Sequence, residues 1–217
     1  MLACGARPGS SWDMVPRTPR FALAGLLALL VVGCGGGSDR ATSTTDSATP
    51  VTPTTLDQYL LQSDEVPGLE PMSSPQTDAG APFDLTEDGA DRLGRSGYIS
   101  TTRQVAQGDR SGGVSSVLLF ETEAGARDWM SYETSREVIR SQFLRGARIK
   151  RFQVPEIPGA HGFTGPDLHG NAIGHAYWTQ GRCMMLIGLE VEEGPRAELL
   201  SAGAQAIYER TGGTCPP

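Results

Sequence analysis

The sequence predicts an α+β fold, in which an antiparallel sheet has helices packed on one face. Two observations carry this prediction. A segment rich in Thr, Ile and Tyr at 98–105 and an apolar run at 114–120 flank a glycine-rich turn, and a helical pattern follows them. Two strands and then a helix occur again between residues 172 and 208. A degenerate ββα duplication would account for this order, with the helices packed on one side of the sheet.

Two short helices are expected before the first strand. Residues 56–61, LDQYLL, read as a short helix that ends before Pro67 and Gly68. Residues 85–93 read as a weak helix with its N-cap near Thr86.

The clearest strand is the run VSSVLLF at 114–120, and the segment 109–113 is expected to form the turn before it. Thr122 followed by Glu123 is typical of a helix start. We expect this helix to extend to about residue 143.

The second half is expected to contain short strands and a closing helix. The predicted strands are 148–154, 160–163, 172–178 and 183–190, and the predicted helix is 195–208. In CMMLIGLE at 183–190 both sets of alternating residues are apolar. This pattern indicates either a central strand covered on both sides or a strand that floors a lipid-binding cavity. The same two interpretations, core or lining of an apolar pocket, hold for the large apolar residues Trp129, Tyr177, Trp178, Met184 and Met185.

Residues 1–33 have the features of an export signal. An apolar run at 21–34 follows Arg17 and Arg20 and is shorter than the about 20 apolar residues needed to span a bilayer. The sequence VVGC at 31–34 resembles the bacterial lipobox, which implies cleavage before Cys34 and lipid attachment to its thiol. A cleaved signal with an incidental cysteine, or an uncleaved anchor, would produce the same run.

The domain organisation follows from this signal. We expect a lipoprotein signal peptide at 1–33, a lipidated Cys34 with a disordered Gly/Ser/Thr/Pro tether at 34–54, and a single exported α+β domain at 55–217. The protein would then lie on the extracytoplasmic face of the cell membrane, held through its lipid anchor.

The charge of the chain excludes one class of partner. Loss of residues 1–33 removes three arginines and one aspartate, which takes the formal net charge from −7 to −9. An acidic domain of this kind has no electrostatic reason to bind nucleic acid, nor to bind an anionic membrane as a whole.

The four cysteines fall into two groups. Cys4 lies in the signal and Cys34 would carry lipid, so Cys183 and Cys215 remain as a pair. In an oxidising compartment such a pair predicts a disulfide, and closing a loop of about 30 residues contributes roughly 3 to 4 kcal/mol. A metal or redox role is less well supported because the sequence has no C-x-x-C motif.

The segment 108–113, GDRSGG, nearly matches the GDSGG loop around a serine-protease nucleophile. Arg110 interrupts the match, and no histidine precedes Ser111 in the sequence. A hairpin turn that uses the φ freedom of Gly112 and Gly113 explains the segment better.

The only histidines are His161, His169 and His175. With Asp167 they would form a metal or acid–base cluster if the chain folded back on itself, although none has the H-x-x-x-H spacing. The simpler interpretation is two solvated loop histidines and a partly buried strand histidine. We expect no cofactor and no metal.

One basic concentration stands out in the acidic chain. It comprises Arg136, Arg140, Arg145, Arg148, Lys150 and Arg151. Such a contact patch suits anionic lipid headgroups, wall polymers or an acidic partner. Arginines at a solvated helix end, favoured by the helix dipole, would give the same pattern.

The segments LLQSDEVPGL, GYISTTRQV and SSVLLFETEAGARDW, together with the late cysteine pair, resemble uncharacterised envelope lipoproteins of actinobacteria. They resemble more distantly the extracellular sensor-type domains of mycobacterial serine/threonine kinases and PsbP-like lipoproteins. This resemblance implies a binding or sensing role. We therefore expect a non-enzymatic domain that binds an envelope protein or an apolar ligand. The alternative is an envelope hydrolase or metal-dependent enzyme that uses His161, His169 and His175.

Overall fold

A computed structural model describes residues 56–80, 85–191 and 196–216. These residues belong to one compact unit, Ser47–Pro217. The predicted signal peptide, the lipid attachment at Cys34 and the tether lie outside the described residues. None of the described helices has the length and apolar character needed to cross a bilayer.

The described residues of the unit form eight strands and four α-helices. The strands are β1 Glu70–Pro71, β2 Gln76–Asp78, β3 Tyr98–Gly108, β4 Ser111–Phe120, β5 Lys150–Gln153, β6 His161–Pro166, β7 Ala172–Gln180 and β8 Cys183–Val191. The α-helices are α1 Glu87–Arg95, α2 Glu123–Glu133, α3 Arg136–Gln142 and α4 Arg196–Thr211. The predicted first helix is a single 3-10 turn, Asp57–Tyr59.

The strands form one antiparallel sheet in the order β1-β3-β4-β8-β7-β6-β5, and β2 pairs with β3 beside β1. β8 therefore lies inside the sheet, between β4 and β7. This position agrees with the apolar residues on both faces of β8. The antiparallel sheet, together with the α-helices, confirms the predicted α+β class.

The helices lie on both faces of the sheet, which corrects the expectation that they share one face. Buried residues of α4 pack on one side with Met185 of β8, and α2 and α3 pack on the other side with Met184. The physical reason is the apolar character of both faces of β4 and β8, because each face must be covered to remove it from water. Met184 and Met185 are each at most 1% exposed.

The ββα order is present twice, as β3-β4-α2 and as β7-β8-α4. If the two units were structural duplicates, a two-fold axis perpendicular to the sheet would relate the antiparallel neighbours β4 and β8. Such an axis would place both helices on the same face. Because α2 and α4 lie on opposite faces, the repeat is one of element order and not of structure.

The helix starts at Thr86 and Thr122 are confirmed. The hydroxyl of Thr86 accepts a hydrogen bond from Gly89 N at 3.2 Å, and that of Thr122 accepts one from Gly125 N at 3.0 Å. Each hydroxyl thus caps a helix start by satisfying a backbone donor.

The long helix expected after residue 122 is two helices. Thr134 ends α2, and its hydroxyl donates to Met130 O at 2.8 Å. The Ser135 hydroxyl then accepts a hydrogen bond from Val138 N and caps α3. Adjacent Thr and Ser side chains that bond to the backbone therefore divide the helix.

The β3–β4 hairpin is tighter than expected. β3 ends at Gly108 and β4 begins at Ser111, so Gly112 and Gly113 are strand residues, and neither has a positive φ. Gly113 is required for another reason. A Cβ atom there would lie 2.8 Å from Cδ2 of Leu189.

The predicted disulfide between Cys183 and Cys215 is confirmed, with Cα atoms 5.6 Å apart. It joins the chain beyond α4 to the start of β8. Arg210 makes a second connection, since it forms an ion pair with Glu65 and donates to Leu60 O. These contacts hold α4 and the segment before β1 on the same face.

Candidate functional site

A shallow groove opens on the face that carries α1, α2 and α3. These helices cover the end of the sheet around Phe120, and the groove lies towards the other end. Its volume is about 230 Å³. The residues that line it are Gly112, Gly113, Val114, Ile173, His175, Gly188, Leu189 and Glu190.

Strand register explains why the groove is open. His175 of β7 is opposite Gly188 of β8, and Gly188 is in turn opposite Val114 of β4. A Cβ atom on Gly188 would lie 3.2 Å from Cγ1 of Val114 and 3.4 Å from Cδ2 of His175. Any side chain at this position would therefore fill the space between the other two. Gly in a strand commonly marks such an approach of a ligand or of another chain segment.

His175 is held at the inner side of the groove by α3. Its Nδ1 atom lies 2.9 Å from Oε1 of Gln142 and 3.2 Å from the hydroxyl of Tyr177. The Tyr177 hydroxyl also donates to Oε1 of Gln142, at 3.4 Å. The imidazole ring lies beside Phe143, with ring centroids 6.0 Å apart. Contacts from two elements thus fix the ring orientation.

The hydrogen bonds assign the tautomer of His175. Oε1 of Gln142 can only accept, so with this orientation of the amide the contact places a proton on Nδ1 of the ring. In a neutral imidazole the other nitrogen, Nε2, is then an acceptor. Nε2 lies 3.7 Å from the position that a Cβ of Gly188 would occupy, so this acceptor faces the groove.

Burial keeps His175 neutral. It lowers the pKa of the imidazole from 6.5 to about 4, because the charged form would lose its hydration. At neutral pH the ring therefore carries no charge.

The same cluster holds a buried carboxyl group. Glu133 is 8% exposed, and burial raises its pKa from 4.5 to about 7. Burial also raises the pKa of Tyr177, and the negative charge of Glu133 contributes to that rise. Tyr177 therefore stays protonated and remains a hydrogen-bond donor.

The groove combines apolar walls with hydrogen-bond acceptors. Val114 and Ile173 are partly buried and apolar, whereas Glu190 is exposed. The polar groups available to a ligand are the Nε2 atom of His175 and the Glu190 carboxylate. This arrangement suits the binding of an apolar group that carries a hydrogen-bond donor.

The other two predicted histidines do not join His175. Nδ1 of His161 lies 3.0 Å from Gly159 O, and burial lowers the pKa of this ring. His169 is exposed in the β6–β7 turn, where Asp167 accepts hydrogen bonds from backbone N–H groups. Within 56–80, 85–191 and 196–216, no three His, Cys, Asp or Glu residues are placed to hold a metal ion. The convergence required by the hydrolase or metal-enzyme hypothesis is not found in this part of the chain.

Ser111 is the first residue of β4, not a turn residue. Its hydroxyl donates to Gly68 O at 3.4 Å. The described residues that line the adjoining groove of about 610 Å³ include no histidine. Among the described residues, the loop that resembles a serine-protease loop therefore has no histidine base beside the Ser111 hydroxyl.

The predicted basic patch is divided by the structure. Arg140 and Arg145 line one groove at the end of α3. Arg151 lies over the ring of Phe163, 5.7 Å from its centroid, on the same face of the sheet. Lys150 precedes Arg151 in β5 and so is directed to the opposite face.

The large apolar residues considered as a pocket lining are core residues. They are Trp129, Tyr177, Trp178, Met184 and Met185, each at most 1% exposed. They divide between the two faces of the sheet, so they do not line one common cavity.

Three contributors to the site were not identified from the sequence. Gln142 is 33 residues from His175, and no local pattern connects them. In the sequence, Glu133 could not be distinguished from the other acidic residues of the predicted helices. Gly188 did carry a signal, because it interrupts the apolar run of β8, and such a glycine indicates a close approach.

Comparisons with known proteins show what the fold resembles. No protein-family model and no curated protein matches the sequence. The extracellular domain of PknH from Mycobacterium tuberculosis matches with a TM-score of 0.52 and 16% identity, over 76% of this chain and 98% of that chain. The X-ray structure of an uncharacterised protein from Mycobacterium smegmatis, the Rv0999 ortholog, gives a TM-score of 0.38 and 15% identity over 65% and 90%. The chain therefore has a fold similar to that of the PknH extracellular domain, in agreement with the resemblance to kinase sensor-type domains.

Proposed function

We propose that this chain is a lipid-anchored, non-enzymatic binding domain on the extracytoplasmic side of a cell membrane, and that it binds its partner or ligand in the groove beside His175. The fold shared with an extracellular domain supports the location. The lipobox-like sequence before Cys34 supports the anchor, since lipid on that thiol would hold the domain at the bilayer.

One observation carries the binding proposal. The neutral ring of His175, held by Gln142 and Tyr177, presents Nε2 to a groove that the absence of a side chain at Gly188 keeps open. A ligand with an N–H or O–H group would donate to this nitrogen. Because the ring is already oriented, binding would cost little side-chain entropy.

The size of the groove limits what enters it. At about 230 Å³ it is smaller than the roughly 300 to 1,000 Å³ of typical small-molecule sites. It fits a side chain of a partner protein or one end of an apolar ligand. The bound group would pack on Val114 and Ile173.

Two matched probes test the groove. Phenol and anisole are similar in size and apolar area, but only phenol has a hydroxyl donor. When isotope-labelled residues 47–217 are titrated with phenol, we expect NMR shifts at the His175 ring nitrogens and at the amides of Gly188 and Val114. Anisole should cause smaller shifts at the ring nitrogens.

A substitution in the floor of the groove provides the control. Gly188→Ala should weaken phenol binding because its Cβ fills the contact space, whereas Gly94→Ala in α1 should not, since no atom lies within 4 Å of its Cβ position. Equal binding by the two variants, or no response of His175 to phenol, would contradict the proposal.

The anchor is tested in cells. Cys34→Ala should abolish incorporation of a labelled fatty acid and release the chain from membranes washed at alkaline pH. Cys4→Ala, which changes another cysteine of the leader, should leave both unchanged. A Cys34→Ala chain that still carries the label would show that this thiol is not the attachment site.

A further inference from the structure

A second surface brings exposed leucines together with arginines at the end of α3. Leu144 is 43% exposed and Leu168 is 60% exposed. They lie in two connected segments, because Leu144 N donates to Pro166 O at 2.9 Å and Phe143 forms a β-bridge with Asp167. The loop after α3 is thus bonded to the β6–β7 hairpin. We call the surface formed by Arg140, Leu144, Arg145 and Leu168 the basic tip.

The charge of the basic tip is opposite to that of the chain. Residues 136–151 contain six basic residues and one acidic residue, in a protein of formal net charge −7. The ion pairs formed among the described residues are Arg92–Asp128, Arg127–Glu123 and Arg210–Glu65. Arg140 and Arg145 are exposed and are not among them.

A groove of about 590 Å³ lies within the basic tip. Both arginines and both leucines line it, together with Phe143 and Ile149. Phe143 is buried, so the floor of the groove is apolar while its cations face solvent. Aliphatic side chains flanked by cations are the composition that anionic bilayer surfaces bind.

We propose that the basic tip docks on the surface of an anionic phospholipid bilayer. Arg140 and Arg145 would contact lipid phosphates, and Leu144 and Leu168 would enter the boundary between headgroups and acyl chains. The exposed hydrophobic residues of the basic tip, Leu144 and Leu168, are aliphatic, whereas protein interfaces favour aromatic anchors. This composition favours a lipid surface over an acidic protein. The docking is independent of the groove beside His175.

The test uses residues 47–217, which form their own compact unit with both cores and the disulfide, and which lack Cys34. Binding is measured by co-sedimentation with vesicles of phosphatidylcholine alone or of phosphatidylcholine with phosphatidylglycerol, at low and at high salt. We expect binding to the anionic vesicles at low salt, weaker binding at high salt, and little binding to neutral vesicles.

Charge reversal locates the contact. Each cation near an anionic surface contributes about a fivefold increase in affinity, so Arg140→Glu with Arg145→Glu should weaken binding by at least about 25-fold. The matched control, Arg103→Glu with Arg110→Glu, changes the charge equally at two exposed positions on and beside β3, far from β5 in the sheet. It should lose much less affinity.

The leucines have their own control. Leu144→Ser with Leu168→Ser should weaken binding several-fold, and Met72→Ser, at an exposed position beside β3, should not. Circular dichroism confirms that each variant is folded. The absence of binding to anionic vesicles at low salt would overturn the proposal and is the result that an acidic protein partner predicts. Equal binding to neutral and anionic vesicles would also overturn it, as would equal losses of vesicle affinity in the two arginine double variants.

Discussion

Nδ1 of His175 lies 2.9 Å from Oε1 of Gln142, and this contact joins β7 to the last residue of α3. It sets both the tautomer of the ring and the direction of its free nitrogen. A side chain at the end of a short helix therefore determines what the groove presents to a ligand.

Gln142→Leu should destabilise the domain by about 1 to 3 kcal/mol, because the buried donors of His175 and Tyr177 lose their shared acceptor. Urea unfolding measures this change. Gln153→Leu, at an exposed position of β5, should stay within about 0.5 kcal/mol of the original chain. The ¹⁵N shifts of the ring should also show loss of the Nδ1–H tautomer, and an unchanged tautomer would contradict the assignment.

Glu133 should make the domain less stable as the pH rises from about 4.5 to about 7. In this range the folded chain keeps a proton on Glu133, whose pKa is raised to about 7, while the unfolded chain has lost it at 4.5. The unfolded state therefore binds fewer protons, so the free energy of unfolding falls as the pH increases, by on the order of 3 kcal/mol. Glu133→Gln should remove this slope in urea unfolding measured across the range.

His175 should produce the opposite slope between about pH 4 and pH 6.5. Its pKa falls from 6.5 to about 4 on folding, so here the unfolded chain binds the additional proton and stability rises with pH. The two slopes oppose each other between 4.5 and 6.5. Glu133→Gln should reveal the rise in the free energy of unfolding with pH that His175 causes. His175→Asn should reveal the fall that Glu133 causes, and the double variant should show neither. Parallel profiles in both single variants would refute the assignment of these groups.

Loss of the disulfide should cost about 3 to 4 kcal/mol, since it closes a segment with a sequence separation of 32 residues. Cys183→Ala with Cys215→Ala, made in residues 47–217, should unfold at a lower urea concentration. Reductant should destabilise the original chain towards the same value and leave the variant unchanged. Alkylation of both thiols in denatured, unreduced protein would show that the bond is absent.

Gly113→Val should destabilise the domain by about 1 to 3 kcal/mol, because its side chain would collide with Leu189 and approach Gly188 O. The adjacent substitution Gly112→Val is the control, since no atom lies within 4 Å of its Cβ position and its φ is not positive. Equal effects at the two positions would indicate that both glycines act through backbone freedom. Ser111→Ala should change stability by less than about 0.5 kcal/mol, as its one weak hydrogen bond is exposed.

Local features of the sequence predicted much of the fold. The apolar residues on both faces of β8, the caps at Thr86 and Thr122 and the Cys183–Cys215 pair all depend on neighbouring residues or on a simple count. The α+β class follows from them. The short strands β1 and β2 were missed, because segments of two or three residues give no periodic signal.

Most of the elements, the antiparallel sheet and the disulfide could thus be predicted from the sequence, since these depend on local propensity, period and cysteine count. The face that each helix covers, and the distant side chains that meet, could not be predicted from the sequence. A helix can cross to either face after a strand, and both faces here are apolar, so the pattern of residues permits both arrangements. The contact between His175 and Gln142, and the groove at Gly188, depend on strand order and on where α3 ends, and neither is encoded in local periodicity.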